Sequence, residues 1–134
     1  MLALFNHWLA AEAPALVADL PNEYEWEIAC RAGAAAPVTS PGAGAATPES
    51  GLADVTAGQP NPWGFRWMLG NVAEMTRLAP TEGADSAGTV VLRGGHWQSG
   101  PAGLRPQSRI EVGDDLRRPA TGVRLAFRLR EARP

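Results

Sequence analysis

Apolar residues recur at helical spacing near the start of the chain. Leu2, Phe5 and Leu9 stand three or four positions apart, which is typical of one face of a surface helix. Pro14 follows, and proline does not continue a helix interior. The pattern therefore predicts a first helix that ends before Pro14.

A second helix is marked at both of its ends. Asn22 is a good N-cap residue, and Glu25 stands three positions later, as in a capping box. Gly33 supplies the left-handed conformation with which many helices stop. We predict a helix over residues 23 to 32.

Two strands are predicted further along the chain. Residues 89 to 93 are mostly β-branched or aliphatic, and residues 123 to 129 alternate between large apolar side chains and arginine or alanine. Strict alternation is typical of a half-buried strand. The second pattern predicts one continuous strand with a core-facing side and a basic side.

Two long loops are predicted between these elements. Residues 33 to 60 contain five glycines, eight alanines and four prolines but no aromatic residue, so this segment cannot hold a packed element of its own. Residues 98 to 121 mix glycines, prolines and charges without periodicity. We expect both segments to be irregular.

Length and composition fit one globular unit. The chain has 134 residues, of which 45% are hydrophobic and 19% charged, so a single domain over 1 to 134 can bury one core. Its one cysteine, Cys30, excludes an intrachain disulfide, and its spacing from Trp26 favours burial. The first residues lack the pattern of a secretory signal, and no segment approaches the length of a membrane span. A cytoplasmic protein is expected.

Charge argues against nucleic-acid binding. The formal net charge is -2, whereas general polyanion binders are basic. Residues 93 to 134 nevertheless carry nine arginines and four acids, a balance of +5, which leaves −7 for the remainder. The C-terminal third is therefore the part in which a basic surface can form.

Four short stretches occur in an order that resembles one family. They read Leu-Pro-Asn-Glu-Tyr-Glu-Trp-Glu at 20 to 27, Trp-Gly-Phe-Arg-Trp-Met-Leu-Gly-Asn-Val-Ala-Glu at 63 to 74, Leu-Arg-Gly-Gly-His-Trp at 92 to 97, and Gly-Val-Arg-Leu-Ala-Phe-Arg at 122 to 128. This series resembles the formylglycine-generating sulfatase-modifying enzymes. The resemblance implies an α+β, C-type-lectin-like fold with much irregular chain. Because typical members have strands before the first helix, a minimal or N-terminally truncated form of that fold is expected.

The chain departs from the family at the catalytic positions. Active members carry two cysteines after the Gly-Gly block and bind copper with them, and the corresponding positions here are Ser99 and Leu104. Soft thiolates are the ligands that copper(I) prefers. The resemblance therefore implies that the chain is not an enzyme, and it assigns no cofactor with certainty.

A calcium site is the remaining cofactor possibility. The stretch around Gly70, Val72 and Glu74 resembles the family's calcium loop, in which main-chain carbonyls and a glutamate surround the ion. Hard oxygen ligands suit calcium. A further oxygen ligand of the family is replaced by Trp67, so the sequence leaves open a weak calcium site and a turn without metal.

A candidate binding surface lies in the second and third motifs and in the loop after them. Arginine and tryptophan dominate binding hot spots, and Arg66 and Trp67 stand where the family has other residue types. Loops on a rigid frame are common recognition sites. The predicted surface is formed by Arg66, Trp67, His96, Trp97, Gln98, Arg105, Gln107, Arg109 and Arg117.

Three functions are compatible with these features. The first is a non-catalytic binding or structural module, acting as an accessory subunit of a larger assembly or as a homo-oligomer, since a sheet that lacks strands leaves edges that are usually covered. The second is a diversity-generating retroelement variable protein that binds ligands through residues 96 to 121. The third is a family enzyme with altered chemistry. We favour the first.

Overall fold

Two helices and six strands make up the regular structure of the described residues. The computed structural model describes residues 2–34, 51–79, 89–113 and 118–131. In chain order the elements are α1 (Leu2–Glu12), β1 (Leu16–Asp19), α2 (Glu23–Arg31), β2 (Ala73–Arg77), β3 (Thr89–Arg93), β4 (Arg109–Gly113), β5 (Thr121–Val123) and β6 (Ala126–Leu129). The α+β class is confirmed.

Helix α2 begins for the predicted reason and ends one residue before the predicted limit. The Asn22 side chain accepts hydrogen bonds from the backbone of Tyr24 and Glu25 at 3.0 and 2.9 Å, and the Glu25 carboxylate accepts from the backbone of Asn22 at 2.8 Å. This reciprocal arrangement is the capping box. The helix ends one residue before the predicted limit because Ala32 already takes a left-handed conformation, followed by Gly33.

Helix α1 lies where it was predicted but is packed on one side only. Leu9 is its buried residue, whereas Leu4 and Trp8 are 78% and 54% exposed. The side chain of Asn6 fixes the helix to β1, because its amide donates to the Ala18 carbonyl at 2.8 Å and its oxygen accepts from the Ala18 backbone at 2.7 Å. The helix is thus held by polar contacts as well as by packing.

The larger sheet has four strands in the order β4-β3-β2-β5. Strands β2, β3 and β4 are antiparallel neighbours, and β5 pairs with β2 in parallel. The strand predicted at 89 to 93 is confirmed. The prediction of a loop over 98 to 121 is wrong at 109–113, where β4 pairs with β3. Most side chains of β4 are exposed, so no apolar periodicity revealed it.

The smaller sheet pairs β1 with β6, and it corrects the prediction for residues 123 to 129. These residues do not form one strand, because the chain leaves the large sheet after Val123 and joins β1 from Ala126. The side predicted to face the core is instead exposed: Val123 is 58%, Phe127 54% and Leu129 78% accessible. Arg124, on the side predicted to be basic, instead points inward and bonds to the buried Glu74.

The core lies between α2 and the segment before β2. Trp26 and Cys30 pack there with Met68 and Leu69, and burial of Cys30 is confirmed. Residues 51–60 of the predicted long loop contain no helix or strand, and its residues 35–50 lie outside the described part of the chain. Among the described helices, none has the length and apolar character needed to cross a membrane.

Candidate functional site

The four sequence motifs meet at one buried carboxylate. Glu74, the second residue of β2, accepts a hydrogen bond from the indole of Trp26 at 2.6 Å. Arg124 donates to both of its oxygens, from Nε at 2.9 Å and from Nη2 at 2.7 Å. The same Nη2 donates to the carbonyl of Arg66 at 2.8 Å. Because Glu74 is 5% exposed, this cluster satisfies a charge that would otherwise be costly to bury.

The third motif approaches this cluster through its backbone. Gly94 has a φ of +82°, and a Cβ at this position would lie 2.5 Å from the carbonyl oxygen of Met68 and 3.0 Å from the Trp26 ring. Its own carbonyl accepts from the backbone of Gly70 at 2.9 Å. Only glycine therefore fits where the third motif crosses the second.

Gly70, Val72 and Glu74 are the residues of the predicted calcium loop, but Glu74 has other partners. Both of its oxygens accept hydrogen bonds from Arg124, and one also accepts from Trp26. A calcium ion needs six to eight oxygen ligands, and a guanidinium on the same carboxylate repels a cation. These residues do not fit the ion well, and the calcium site stays a prediction.

Ser99, one of the two positions at which the resemblance places a catalytic cysteine, lines a small cavity of about 130 Å³. The Ser99 hydroxyl accepts from the backbone of His96 at 3.0 Å, and Nδ1 of His96 accepts from the backbone of Gln98 at 3.2 Å. These bonds close a local turn. Because Nδ1 of His96 already accepts one of them, it is not free to accept a proton from the Ser99 hydroxyl. Within the described ranges, no group of three His, Cys, Asp or Glu residues could hold a metal ion.

The single cysteine is unsuited to thiolate chemistry. Cys30 is 3% exposed, and burial raises the pKa of its thiol to about 12, against the smaller opposing effect of Arg93. The thiolate is the form that binds metals and attacks substrates. Cys30 is therefore a packing residue.

Arg66 and Trp67 hold the segment that precedes them in the fold. The Trp67 indole donates to the Asp54 carbonyl at 2.9 Å, and Nη1 of Arg66 donates to the Gly58 carbonyl. Trp67 has a φ of 57°, and its ring packs closely over Gly58. Both side chains are partly buried, so less of their surface is accessible to a partner than in a pair that faces fully outward. Their predicted role in binding stays a prediction.

The other residues of the predicted surface are divided among different places. Gln98 and Arg105 are exposed, His96 and Trp97 are partly buried, and Arg117 lies outside the described residues. His96 lines the small cavity, whereas Gln107 lines a separate one. The structure thus does not gather the set into one patch around Arg66 and Trp67.

Arg109 belongs to a network of ion pairs that the sequence did not indicate. It donates to both oxygens of the buried Glu23 at 2.8 and 3.1 Å and also pairs with Glu111 at 2.9 Å. These hydrogen bonds, chiefly those that Arg109 donates to Glu23, raise the pKa of Arg109. Arg109 therefore joins β4 to α2 and is not a free surface arginine.

Arg93 continues the same network beneath α2. It is 2% exposed and donates to Glu27 at 2.5 Å and to the Pro106 carbonyl at 2.6 Å. Burial acts to raise the pKa of Glu27, and its hydrogen bonds with Arg31 and Arg93 act to lower it. The lowering is larger in sum, so the pKa lies below its ordinary value. A cavity of about 380 Å³ opens beside these paired charges. The signal available in the sequence was that Arg93 and Arg124 both stand inside motifs.

A cavity with a mostly apolar wall lies beside the Glu74 cluster. Its volume is about 540 Å³, within the range of ligand sites. Apolar side chains form most of the wall, and Arg66, Asn71, Glu74 and Arg124 supply the polar groups. Asn71 is occupied, since its amide exchanges hydrogen bonds with the backbone of Ala53. The two arginines and Glu74 are thus the charged groups of this cavity.

Solved structures with the same fold are longer than this chain. PvdO from Pseudomonas aeruginosa superposes with a TM-score of 0.75 at 23% identity over 96% of this chain and 58% of its own. Treponema denticola variable protein 1 gives 0.66 at 25% identity over 81% and 46%. The crystal structure of CarF gives 0.68 at 21% identity over 97% and 64%. This chain therefore spans about half to two thirds of each.

The family follows from a match to a family description. A search of curated proteins found no match. The Sulfatase-modifying factor enzyme 1-like domain, however, matches residues 4–129, which include all four motifs. The chain belongs to the sulfatase-modifying factor enzyme 1-like family.

Proposed function

We propose that the chain is a non-catalytic binding module of this family. The observation that supports this most directly is its thiol content. The sequence contains one cysteine, and this residue is buried with a raised pKa. Ser99 and Leu104 stand at the positions that the resemblance assigns to catalytic cysteines. A copper(I) site built on two thiolates therefore has no ligands here.

The binding role is supported by the 540 Å³ cavity. Apolar walls with a few fixed polar groups are characteristic of ligand sites. Arg66 and Trp67, two residues of the predicted binding surface, line this cavity. In this proposal the family's frame is retained and the second and fourth motifs supply the recognition site.

An activity assay tests the non-catalytic part of the proposal. The protein is incubated with copper, oxygen and a Cys-Xaa-Pro-Xaa-Arg peptide, and aldehyde formation is followed by mass spectrometry. We expect no product, while an active family member in the same buffer serves as the positive control. Turnover to the aldehyde would contradict the proposal.

Membership of a larger assembly is supported by apolar residues that remain uncovered. Leu4, Trp8, Phe127 and Leu129 are each more than half exposed, and exposed apolar patches often mark interaction sites. We expect the native protein to sediment with a mass above that of the 14.1 kDa chain. A monomer in sedimentation, with no protein co-purified from native cells, would oppose the accessory-subunit proposal. A cytoplasmic location is proposed with it.

A variable ligand-binding protein is the second candidate. It is supported by the likeness to Treponema denticola variable protein 1, at 25% identity and a TM-score of 0.66. In that case residues 96 to 121 would carry the variable positions, and Gln98, Arg105 and Ile110 are exposed there. A template repeat and a reverse-transcriptase gene beside the coding region would favour this function, and their absence from the complete genome would oppose it.

We also propose that the turn at Gly70 is stable without calcium. Arg124 already supplies a positive charge to Glu74. From the dependence of stability on ligand excess, about 2 mM calcium should stabilise the fold by less than about 0.7 kcal/mol if the dissociation constant exceeds about 1 mM. Thermal unfolding with calcium, and with magnesium as the control, measures this. A larger shift that disappears in Glu74→Gln would establish a calcium site at the predicted residues.

A further inference from the structure

The 540 Å³ cavity contains a fixed arginine with an unused donor group. Arg124 donates from Nε and Nη2 to Glu74, and from Nη2 also to the Arg66 carbonyl. Within the described part of the chain, its Nη1 donates to no acceptor. This nitrogen is also not one of the fully buried atoms without a partner, so it is at least partly exposed. Because Arg124 lines the cavity, Nη1 is reachable by a ligand there.

Arg66 adds a second positive charge to the same cavity. One of its nitrogens donates to the Gly58 carbonyl, and its Nε and Nη2 have no acceptor among the described residues. With Arg66 and Arg124 as two positive charges and Glu74 as one negative charge, the cavity carries +1. This excess suits a single negative charge on a ligand.

The apolar walls of the cavity indicate the chemical character of the part of the ligand that carries no charge. Val55, Phe65, Trp67, Val72 and Val123 supply apolar surface around these charges. The guanidinium of Arg124 lies 5.8 Å from the centre of the Phe65 ring and is held by three hydrogen bonds. A donor that is already fixed in place binds an anion with little loss of conformational entropy.

We propose that this cavity binds a carboxylate that is attached to an aromatic or aliphatic body. The carboxylate accepts hydrogen bonds from Nη1 of Arg124 and from Arg66, and the body packs against Trp67 and the valines. A neutral analogue leaves the excess charge unpaired, and a bare phosphate makes no use of the apolar wall. This inference rests on the proposed binding role and specifies its ligand class.

Calorimetric titration with three small probes tests the ligand class. We expect phenylacetate to bind at least about tenfold more tightly than phenylacetamide, a difference of about 1.4 kcal/mol, and inorganic phosphate to bind more weakly still. Equal affinity for the acid and the amide would overturn the proposal. So would phosphate binding as tight as that of phenylacetate, or no detectable phenylacetate binding.

One pair of peptides identifies the source of the carboxylate, and two pairs of variants locate the site. A short peptide ending in phenylalanine, compared with the same peptide amidated, distinguishes a chain end from a free acid. Arg66→Gln should weaken phenylacetate binding about fivefold or more, and Arg66→Lys should restore part of it. Val55→Asp should weaken binding relative to Val55→Asn, because the two differ only in charge and Val55 is 74% exposed.

The control variant is Arg77→Gln, which removes an exposed arginine paired with Asp19 elsewhere in the fold. It should leave phenylacetate binding unchanged. If it weakens binding as much as Arg66→Gln does, the proposed site is wrong. None of these outcomes depends on the copper and peptide assay, so the ligand class and the non-catalytic role can fail separately.

Discussion

Two arginines four residues apart bind glutamates in two different regions of the molecule. Arg124 holds Glu74 in the buried centre, where their side chains are 27% and 7% exposed. Arg128, in β6 of the small sheet, holds Glu25 of α2, and these side chains are 41% and 39% exposed. Each pair has two close hydrogen bonds, and the distances are similar. Because the hydrogen-bond geometry is alike, we expect the burial of each ion pair to decide how much it contributes to stability.

The largest expected effect comes from breaking the buried pair. Arg124→Ala leaves the Glu74 carboxylate buried, and among the described residues the Trp26 indole is then its one remaining side-chain partner, which should cost about 3–5 kcal/mol. Arg128→Ala is the matched control, and it should cost at most about 1 kcal/mol because its pair is exposed. Urea unfolding of both variants measures the difference. Equal losses would mean that burial does not distinguish the two regions.

An intermediate effect is expected where the backbone crosses the buried centre. Gly94→Ala places a methyl group against the Met68 carbonyl at positive φ, and we expect a loss of about 2 kcal/mol or more. Gly64→Ala has a similar φ of +86° but meets nothing within 4 Å, so it isolates backbone strain at about 1 kcal/mol. If both variants unfold at the same urea concentration, the close contact at Gly94 contributes nothing.

The smallest expected effect concerns the exposed pair and pH. The hydrogen bond from Arg128 is the main cause that lowers the pKa of Glu25 below its ordinary value of 4.5. A lowered pKa in the folded state contributes stability that is present above pH 4.5 and lost as pH falls through the folded value.

Glu25→Gln removes that charge while glutamine can still complete the capping box. We expect it to lower the free energy of unfolding at pH 7 by less than about 1 kcal/mol and to flatten its fall below pH 4.5. Thermal unfolding from pH 7 to 3 measures both. A variant with the wild-type slope would show that Glu25 does not contribute to acid sensitivity.

Local signals predicted some elements well, and contacts between distant residues account for the errors. The caps of α2 lie within a few residues of the helix, so Asn22 and Glu25 were sufficient to place it. Strand β1 has four residues and pairs with β6, and β4 is mostly exposed at the edge of the large sheet. Neither produces apolar periodicity, because sheet pairing and not burial defines them.

The candidate site was predicted less completely for the same reason. Arg66 and Trp67 do line a cavity, but the alternating pattern at 123 to 129 assigned Arg124 to an exposed basic side. Its inward direction depends on Glu74, fifty positions earlier. Arg109 was assigned to a binding surface because nothing near it in the sequence indicated its contact with Glu23. Residue type alone does not reveal which arginines already have partners.

The pairing of β1 with β6 has a consequence for how the protein folds. Leu16 faces Leu129, so 113 positions of sequence, from 129 minus 16, separate two neighbours in the small sheet. Contacts between such distant residues slow folding because a long loop must close first. During synthesis β1 therefore cannot pair with β6 until nearly the whole described chain has been made. Until then α1 and β1 expose apolar residues that a chaperone can bind.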